Sequence, residues 1–164
     1  MLMYKQNDLP AIEGGKPVRE KFLIFGKPQI TQDDIESVVD TMRSGWIGTG
    51  PKTAYFEEKI AKYVNAEYAV ALNSCTAGLH LALLACGIKP KDEVITSAMT
   101  FAATANVIEH VGAKPIFVDA EKDSMNIDPV EIQKHISKNT KAIIPVHMAG
   151  RPCKMYEIRK IARQ

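Results

Sequence analysis

The sequence predicts an α/β fold with a mostly parallel sheet and helices on both faces. Two observations carry this prediction. Strand-like and helix-like segments alternate from residue 68 to residue 163 with short connections, which is the pattern of parallel strands joined by crossover helices. Residues typical of helix ends also stand between them: Gly87 and Gly112 at C-caps, and Asp128 as an N-cap before a proline.

Before this alternating region the sequence predicts an arm and two helices. Residues 1–30 contain EGGKPVRE and FGKPQI, whose glycines and prolines favour an extended arm with turns. Thr31 is a candidate N-cap, and apolar residues then recur with helical spacing at Ile35, Val38, Val39 and Met42. A glycine-rich loop, 46–51, precedes a second amphipathic helix that carries Phe56, Ile60 and Val64.

The alternating region contains four predicted strands and four predicted helices. The strands are short and apolar: 68–72, 93–97, 115–119 and 141–146. The helices lie between and after them: 76–86, 102–111, 128–137 and 154–163. A crossover helix normally returns to another parallel strand, so we expect the chain to end before its sheet is complete. We therefore divide it into an arm, 1–30, and part of a larger domain, 31–164.

Composition excludes several functional classes. With 46% hydrophobic and 24% charged residues, the 164-residue chain is typical of a soluble globular protein. A net charge of +2 with scattered lysines argues against a nucleic-acid partner. No segment is apolar over a membrane-spanning length, and the three cysteines indicate neither a disulfide framework nor a metal site. We expect a cytoplasmic protein without membrane, nucleic-acid or metal partners.

The first candidate site is NSCTAGLH, where a predicted strand turns into a helix. Free N–H groups and the helix dipole suit a phosphate there, with the Ser74 and Thr76 hydroxyls as further donors. The same residues would equally serve as a helix cap, and the chain has neither the nucleoside-triphosphate loop nor the GxGxxG pattern. Residue chemistry leaves phosphate binding and simple capping equally open.

Three further candidates lie beyond predicted strands or in loops. Phe101 could stack on a planar ring, but a core phenylalanine at a helix start is the commoner case. His147 follows the last strand and could contact a ligand, although such histidines more often bond the loop backbone. The loop 46–51 is either substrate-facing or a plain helix connection. No pair of nucleophile and base emerges, so the residues alone leave the chemistry undecided.

Seven motifs in fixed order resemble one protein family. These are GGKPVR, FGKP, SGWIGTGP, NSCTAGLHLALLACGI, DEVITSAMTFAATANVIEHVGAKPIFVD, NIDP and TKAIIPVHMAGRPCKM. They closely resemble the N-terminal part of the DegT/DnrJ/EryC/StrS sugar aminotransferases, which use pyridoxal phosphate and have the aspartate-aminotransferase fold (fold type I). The resemblance runs from about residue 11 onwards and corresponds to less than half of a complete member.

The resemblance implies roles for several residues. Ser74, Cys75, Thr76 and Ala77 match the turn that binds the cofactor phosphate, with cysteine at position 75 where the family usually has glycine. Phe101 matches the aromatic residue that stacks on the pyridine ring. Trp46 and Thr49 in the loop, together with His147, match positions near the mouth of the active site, where the substrate binds.

The resemblance also implies what the chain lacks. The aspartate that contacts the pyridine nitrogen and the lysine that binds the cofactor covalently lie beyond Gln164 in the family pattern. We therefore assign no catalytic residue and expect the 164 residues alone to be inactive.

The resemblance implies amino transfer from an amino acid such as glutamate to a keto-sugar, a nucleotide-linked keto-sugar or a keto-cyclitol. It also implies a homodimer. A sugar dehydratase of the same family and a non-catalytic binding module stay open. A nucleotide-binding domain of flavodoxin type fits the alternation but not the motifs.

Overall fold

The computed structural model describes residues 9–164. The chain divides into two compact units, with the boundary between residues 66 and 67. Part of the predicted arm, residues 1–8, lies outside the described residues. The division that we drew at residue 30 stays a prediction. None of the helices within residues 9–164 combines the length and the hydropathy needed to cross a bilayer.

The first unit is helical. After a 3₁₀ turn at Ala11–Glu13, helix α1 spans Gln32–Ser44 and helix α2 spans Pro51–Val64. Thr31 caps α1 as predicted. Its hydroxyl accepts the backbone N–H of Asp34, and the Asp34 carboxylate accepts the backbone N–H of Thr31 in return.

The second unit contains a three-stranded parallel sheet and four helices. Along the chain these are α3 Cys75–Ala85, β1 Glu93–Ser97, α4 Ala102–His110, β2 Lys114–Val118, α5 Pro129–His135, β3 Thr140–Ile144 and α6 Met155–Ile161. The strand order is β2-β1-β3, with β1 parallel to both neighbours. The predicted parallel sheet is confirmed.

Helices cover both faces of this sheet. Val94 of β1 packs in a cluster with Leu83 of α3 and Ile108 of α4. The next residue, Ile95, points to the other face and packs with Ile132 and Ile158, which belong to α5 and α6. Because successive strand residues alternate between faces, the central strand β1 contributes to both cores and is itself almost completely buried.

The predicted strand 68–72 is wrong. The three strands of the sheet within residues 9–164 do not include it, although the exposure of its side chains alternates. Tyr68 and Val70 are exposed, whereas Ala69 and Ala71 are half-buried. Apolar, β-branched residues favour an extended backbone, but a strand also needs a neighbouring strand for its ladder of hydrogen bonds, and the sequence pattern cannot supply that partner.

Candidate functional site

The carboxyl ends of β1 and β3 form the edge at which the topology places a ligand crevice. From β1 the chain runs to α4 on one face of the sheet, and from β3 it runs to α6 on the other face. Adjacent strands whose connections leave to opposite faces open a crevice beyond their carboxyl ends. The Thr96 hydroxyl, which is completely buried, donates to the carbonyl of Ile144 at 2.9 Å and joins the two strands below this crevice.

The first turn of α3 lies towards the same edge. The turn 86–92 connects the end of α3 to the amino end of β1, so the helix runs opposite to the strands. Ser74 is the N-cap, and its hydroxyl oxygen accepts the backbone N–H of Ala77 at 3.1 Å. Among the described residues, no acceptor bonds the backbone N–H groups of Cys75 and Thr76. Capping therefore occupies one donor and leaves two for a ligand.

The side chains around these donors leave the turn open. Ser74, Cys75 and Thr76 are exposed, and Ala77 is half-buried. The Ser74 hydroxyl donates its own proton to Asn73 Oδ1 over a long distance of 3.5 Å. A bound anion can replace this weak acceptor, so Ser74 can cap the helix and contact the anion at once. The two interpretations that the sequence left open are thus compatible.

Phe101 begins the helix that follows β1, and 80% of its surface is exposed. Its backbone is held from both sides. The Ser97 hydroxyl accepts the Met99 N–H at 3.1 Å, and the Thr104 N–H bonds the Phe101 carbonyl at 3.0 Å. A large aromatic side chain on a rigid backbone at the crevice edge is available to stack on a ring.

His147 lies in the loop after β3 and is exposed. Its Nδ1 accepts the backbone N–H of Cys153 at 3.1 Å, so the histidine does bond the loop backbone as the commoner case predicted. This bond requires an unprotonated Nδ1 and places the proton of the neutral ring on Nε2. The remaining nitrogen is a donor that a ligand at the edge could use.

Sequence reasoning missed Asn126, which is 3% exposed and fixes the loop that carries His147. Its side chain bonds the backbone of Met148, Arg151 and Pro152. In the sequence this asparagine looks like any turn residue before Asp128, because its partners lie more than twenty positions away.

Trp46 and Thr49 lie in the first unit. Trp46 is 61% exposed, and its ring packs against the α-carbon of Gly50, where an added Cβ would be 3.1 Å from Cε3. It lines a small cavity with the end of α1 and the start of α2, whereas Thr49 is exposed in the loop.

Charged groups join the loop after β2 to the start of α6. Lys154 donates to the Glu121 carboxylate at 2.5 Å and, together with Ser124, lowers the pKa of Glu121. Arg151 donates to the carbonyl of Asp123 at 3.1 Å.

Two other features of the described residues do not form a site. Along α6, a wide groove is lined by Met155, Tyr156, Arg159, Lys160 and Arg163, but one helix alone builds it and it converges on no second element. Residues 9–164 contain no group of three or more His, Cys, Asp or Glu side chains placed to hold a metal ion.

Two proteins of similar sequence are named for polysaccharide biosynthesis or for an amino sugar. The spore coat polysaccharide biosynthesis protein SpsC of Bacillus subtilis is 48% identical over 88% of this chain and 37% of its own length. The UDP-4-amino-4-deoxy-L-arabinose–oxoglutarate aminotransferase of Shewanella sediminis is 51% identical over 79% of this chain and 34% of its own length. The chain thus spans little more than a third of these relatives.

A solved structure agrees with the fold. The putative sugar aminotransferase Spr1654 of Streptococcus pneumoniae, known in its PLP form and its PMP form, superposes with a TM-score of 0.82 at 43% identity. The match covers 85% of this chain and 36% of the PLP-form chain. The sheet and helices are therefore part of a fold type I domain. Since residues 28–164 also match the family model, the chain belongs to the DegT/DnrJ/EryC1/StrS aminotransferase family.

Proposed function

We propose that this chain forms the part of a sugar aminotransferase that binds the phosphate and the ring of pyridoxal phosphate. The supporting observation is the pair of unpartnered N–H groups on α3 at the sheet edge that also carries the exposed Phe101. The solved PLP and PMP forms of a protein 43% identical to this chain support the choice of cofactor.

The phosphate fits the first turn of α3. The N–H groups of Cys75 and Thr76 and the hydroxyls of Ser74 and Thr76 supply four donors, and the helix dipole favours an anion at this end. Cys75 would use only its backbone N–H, and its exposed thiol is not packed into the turn. Ala77 contributes by closing the cap, because its N–H already bonds Ser74.

The ring of the cofactor would lie against Phe101. Such stacking contributes about 0.5–1.5 kcal/mol beyond the burial of area, and it fixes the orientation of the ring. When bound, pyridoxal phosphate supplies an electron sink that allows an amino group to be moved between two carbonyl compounds. The residues of this chain hold and orient the cofactor, and we assign no proton transfer to any of them.

The names of the relatives support a proposal for the substrates. We propose glutamate as the amino donor and a keto-sugar, free or nucleotide-linked, as the acceptor, because the similar Shewanella enzyme is named for an amino sugar nucleotide and oxoglutarate. His147 would donate from Nε2 to the substrate. Trp46 and Thr49 stay proposed substrate contacts on the family resemblance alone. We further propose that the active protein is a homodimer.

Binding of pyridoxal phosphate to variants of the protein that carries this chain tests the proposal. Thr76→Val should weaken binding, and Thr76→Ser, which keeps the hydroxyl, should restore most of it. Phe101→Ala should also weaken binding, whereas Tyr156→Ala removes an equally exposed aromatic side chain from α6 and should have no effect. Unchanged affinity in both Thr76→Val and Phe101→Ala would refute the site.

A second assay tests the reaction class. The loaded protein is mixed with glutamate, and the release of 2-oxoglutarate is measured. Stoichiometric release supports amino transfer. A protein that binds the cofactor and releases none would instead fit a dehydratase of the same family.

A further inference from the structure

The loop between β3 and α6 is held from inside by the side chain of Asn126. Its Oδ1 accepts the Met148 N–H at 2.9 Å, and its Nδ2 donates to the carbonyls of Arg151 and Pro152 at 3.0 and 3.1 Å. An asparagine amide offers two donor hydrogens and an acceptor oxygen. Both donors and the oxygen are used, so the orientation of the amide is set by its partners.

Because Asn126 is buried, the loss of these hydrogen bonds would not be compensated by water. Asn126 is 3% exposed, and its neighbour Ile127 packs in the core with Cys153. Water cannot replace a lost partner at such a position, so removing the amide leaves one backbone N–H and two carbonyls without their bonds. The side chain therefore acts on the backbone conformation of residues 148–152.

The backbone of this loop and of the turn before Asn126 includes residues in the unfavourable left-handed region. Ala149 has φ 51°, and Met125, next to Asn126, has φ 60°. Residues other than glycine rarely occupy this left-handed region, and they remain there only when surrounding contacts require it. The contacts that require it here include the three bonds of Asn126.

Two other links join the loop after β2 to the segment between β3 and α6, but neither bonds the backbone of residues 148–152. The Glu121–Lys154 ion pair is partly exposed, and Arg151 reaches Asp123 through its guanidinium. They join the loops from outside. Within residues 9–164, Asn126 is the one side chain from outside this loop that bonds the backbone of residues 148–152. The loop's own backbone bonds run from the Gly150 N–H to the His147 carbonyl and from the Arg151 N–H to the Met148 carbonyl. Cys153 follows directly: its N–H is the group that His147 accepts, and its thiol donates to the Val146 carbonyl.

We propose that Asn126 is a positioning residue for His147. By fixing residues 148–152 it places the Cys153 N–H against Nδ1 and so holds the neutral ring as the Nε2–H tautomer, with a donor directed to the substrate. The substrate role of His147 rests on the proposed function; the dependence of its tautomer on Asn126 does not.

The test is a ¹⁵N–¹H NMR spectrum of protein labelled at histidine, recorded at alkaline pH, which reports the tautomer of His147. In the unmodified protein one tautomer, Nε2–H, is expected. Asn126→Asp keeps nearly the same side-chain size but replaces the Nδ2 donor with a carboxylate oxygen, which is repelled by the carbonyls of Arg151 and Pro152. The loop should then release the Cys153 N–H from His147, and a mixture of tautomers should appear. Asn139→Asp, the same change at an exposed side chain, and Glu121→Gln, which weakens the exposed link, should each keep the single tautomer.

Either of two results overturns the inference: an Nδ1–H tautomer in the unmodified protein, or an unchanged single tautomer in Asn126→Asp. The first needs no variant and so remains decisive if Asn126→Asp fails to fold. Titration with pyridoxal phosphate separates this inference from the proposed function. If the cofactor does not bind but the tautomer responds to Asn126, the function fails and the positioning role stands. If the cofactor binds as proposed but the tautomer does not respond, only the positioning role fails.

Discussion

Ser74 and Thr76 allow helix capping to be separated from phosphate binding. The Ser74 hydroxyl accepts the Ala77 N–H at 3.1 Å, so Ser74→Ala removes a real cap. We expect it to lower the free energy of unfolding of the cofactor-free protein by about 1 kcal/mol. The Thr76 side chain is exposed and bonds no other described residue, so Thr76→Val should change it by less than about 0.5 kcal/mol.

The affinity for pyridoxal phosphate should follow a different order. A hydrogen bond to a charged group contributes about 1.5–3 kcal/mol, which corresponds to a Kd increase of about 10- to 150-fold for Thr76→Val. Ser74→Ala should weaken binding as well, because the same hydroxyl caps the helix and donates to the phosphate. Denaturant unfolding without cofactor and calorimetric titration with cofactor measure the two quantities.

A second helix cap provides the control. Asp128 caps α5 through its carboxylate, which accepts the Val130 N–H at 2.8 Å. Asp128→Ala should lower the free energy of unfolding about as much as Ser74→Ala does, and it should leave the affinity for pyridoxal phosphate unchanged. The reasoning is refuted if Thr76→Val destabilises the cofactor-free protein as much as Ser74→Ala and does not alter cofactor binding.

Two further predictions concern the fold. Gly87 and Gly112 both have positive φ, but only at Gly112 would an added Cβ meet a neighbour, Pro90 Cγ at 2.9 Å. Gly87→Ala should lower the free energy of unfolding by about 1 kcal/mol, and Gly112→Ala should lower it by more. Equal unfolding midpoints in denaturant for the two variants would contradict this. The bond from Lys154 lowers the pKa of Glu121, so its stabilisation is present above the ordinary carboxyl pKa and is lost as pH falls through the lowered value. The stability difference between the unmodified protein and Glu121→Gln should shrink on acidification in denaturant titrations at several pH values, and a constant difference would be contrary evidence.

Local signals predicted much of the fold from sequence. The N-cap at Thr31 and the N-cap at Asp128 before a proline each set a helix start through neighbouring residues, and the structure has both. Pro51, which we placed in the loop 46–51, is instead the first residue of α2. Strand β1 was predicted at its observed bounds, since a short apolar run between turns has few alternatives.

What the sequence could not supply was the pairing of distant segments. Residues 68–72 have strand-like composition but no place among the three strands within residues 9–164, and composition does not reveal which segments pair as neighbouring strands. Asn126 was overlooked for the same reason, because its bonds span 22 to 26 positions. The sequence did place Ser74 and Phe101 at the starts of helices, because helix starts are local features. Their role in binding a cofactor stays a prediction.

The most direct test of the account is to titrate pyridoxal phosphate into the ¹⁵N-labelled protein and follow its amide signals. The account predicts that the signals of Cys75 and Thr76 shift most and that the Phe101 ring protons shift with them. Largest shifts on the basic face of α6, around Arg159 and Arg163, with Cys75 and Thr76 unmoved, would contradict it.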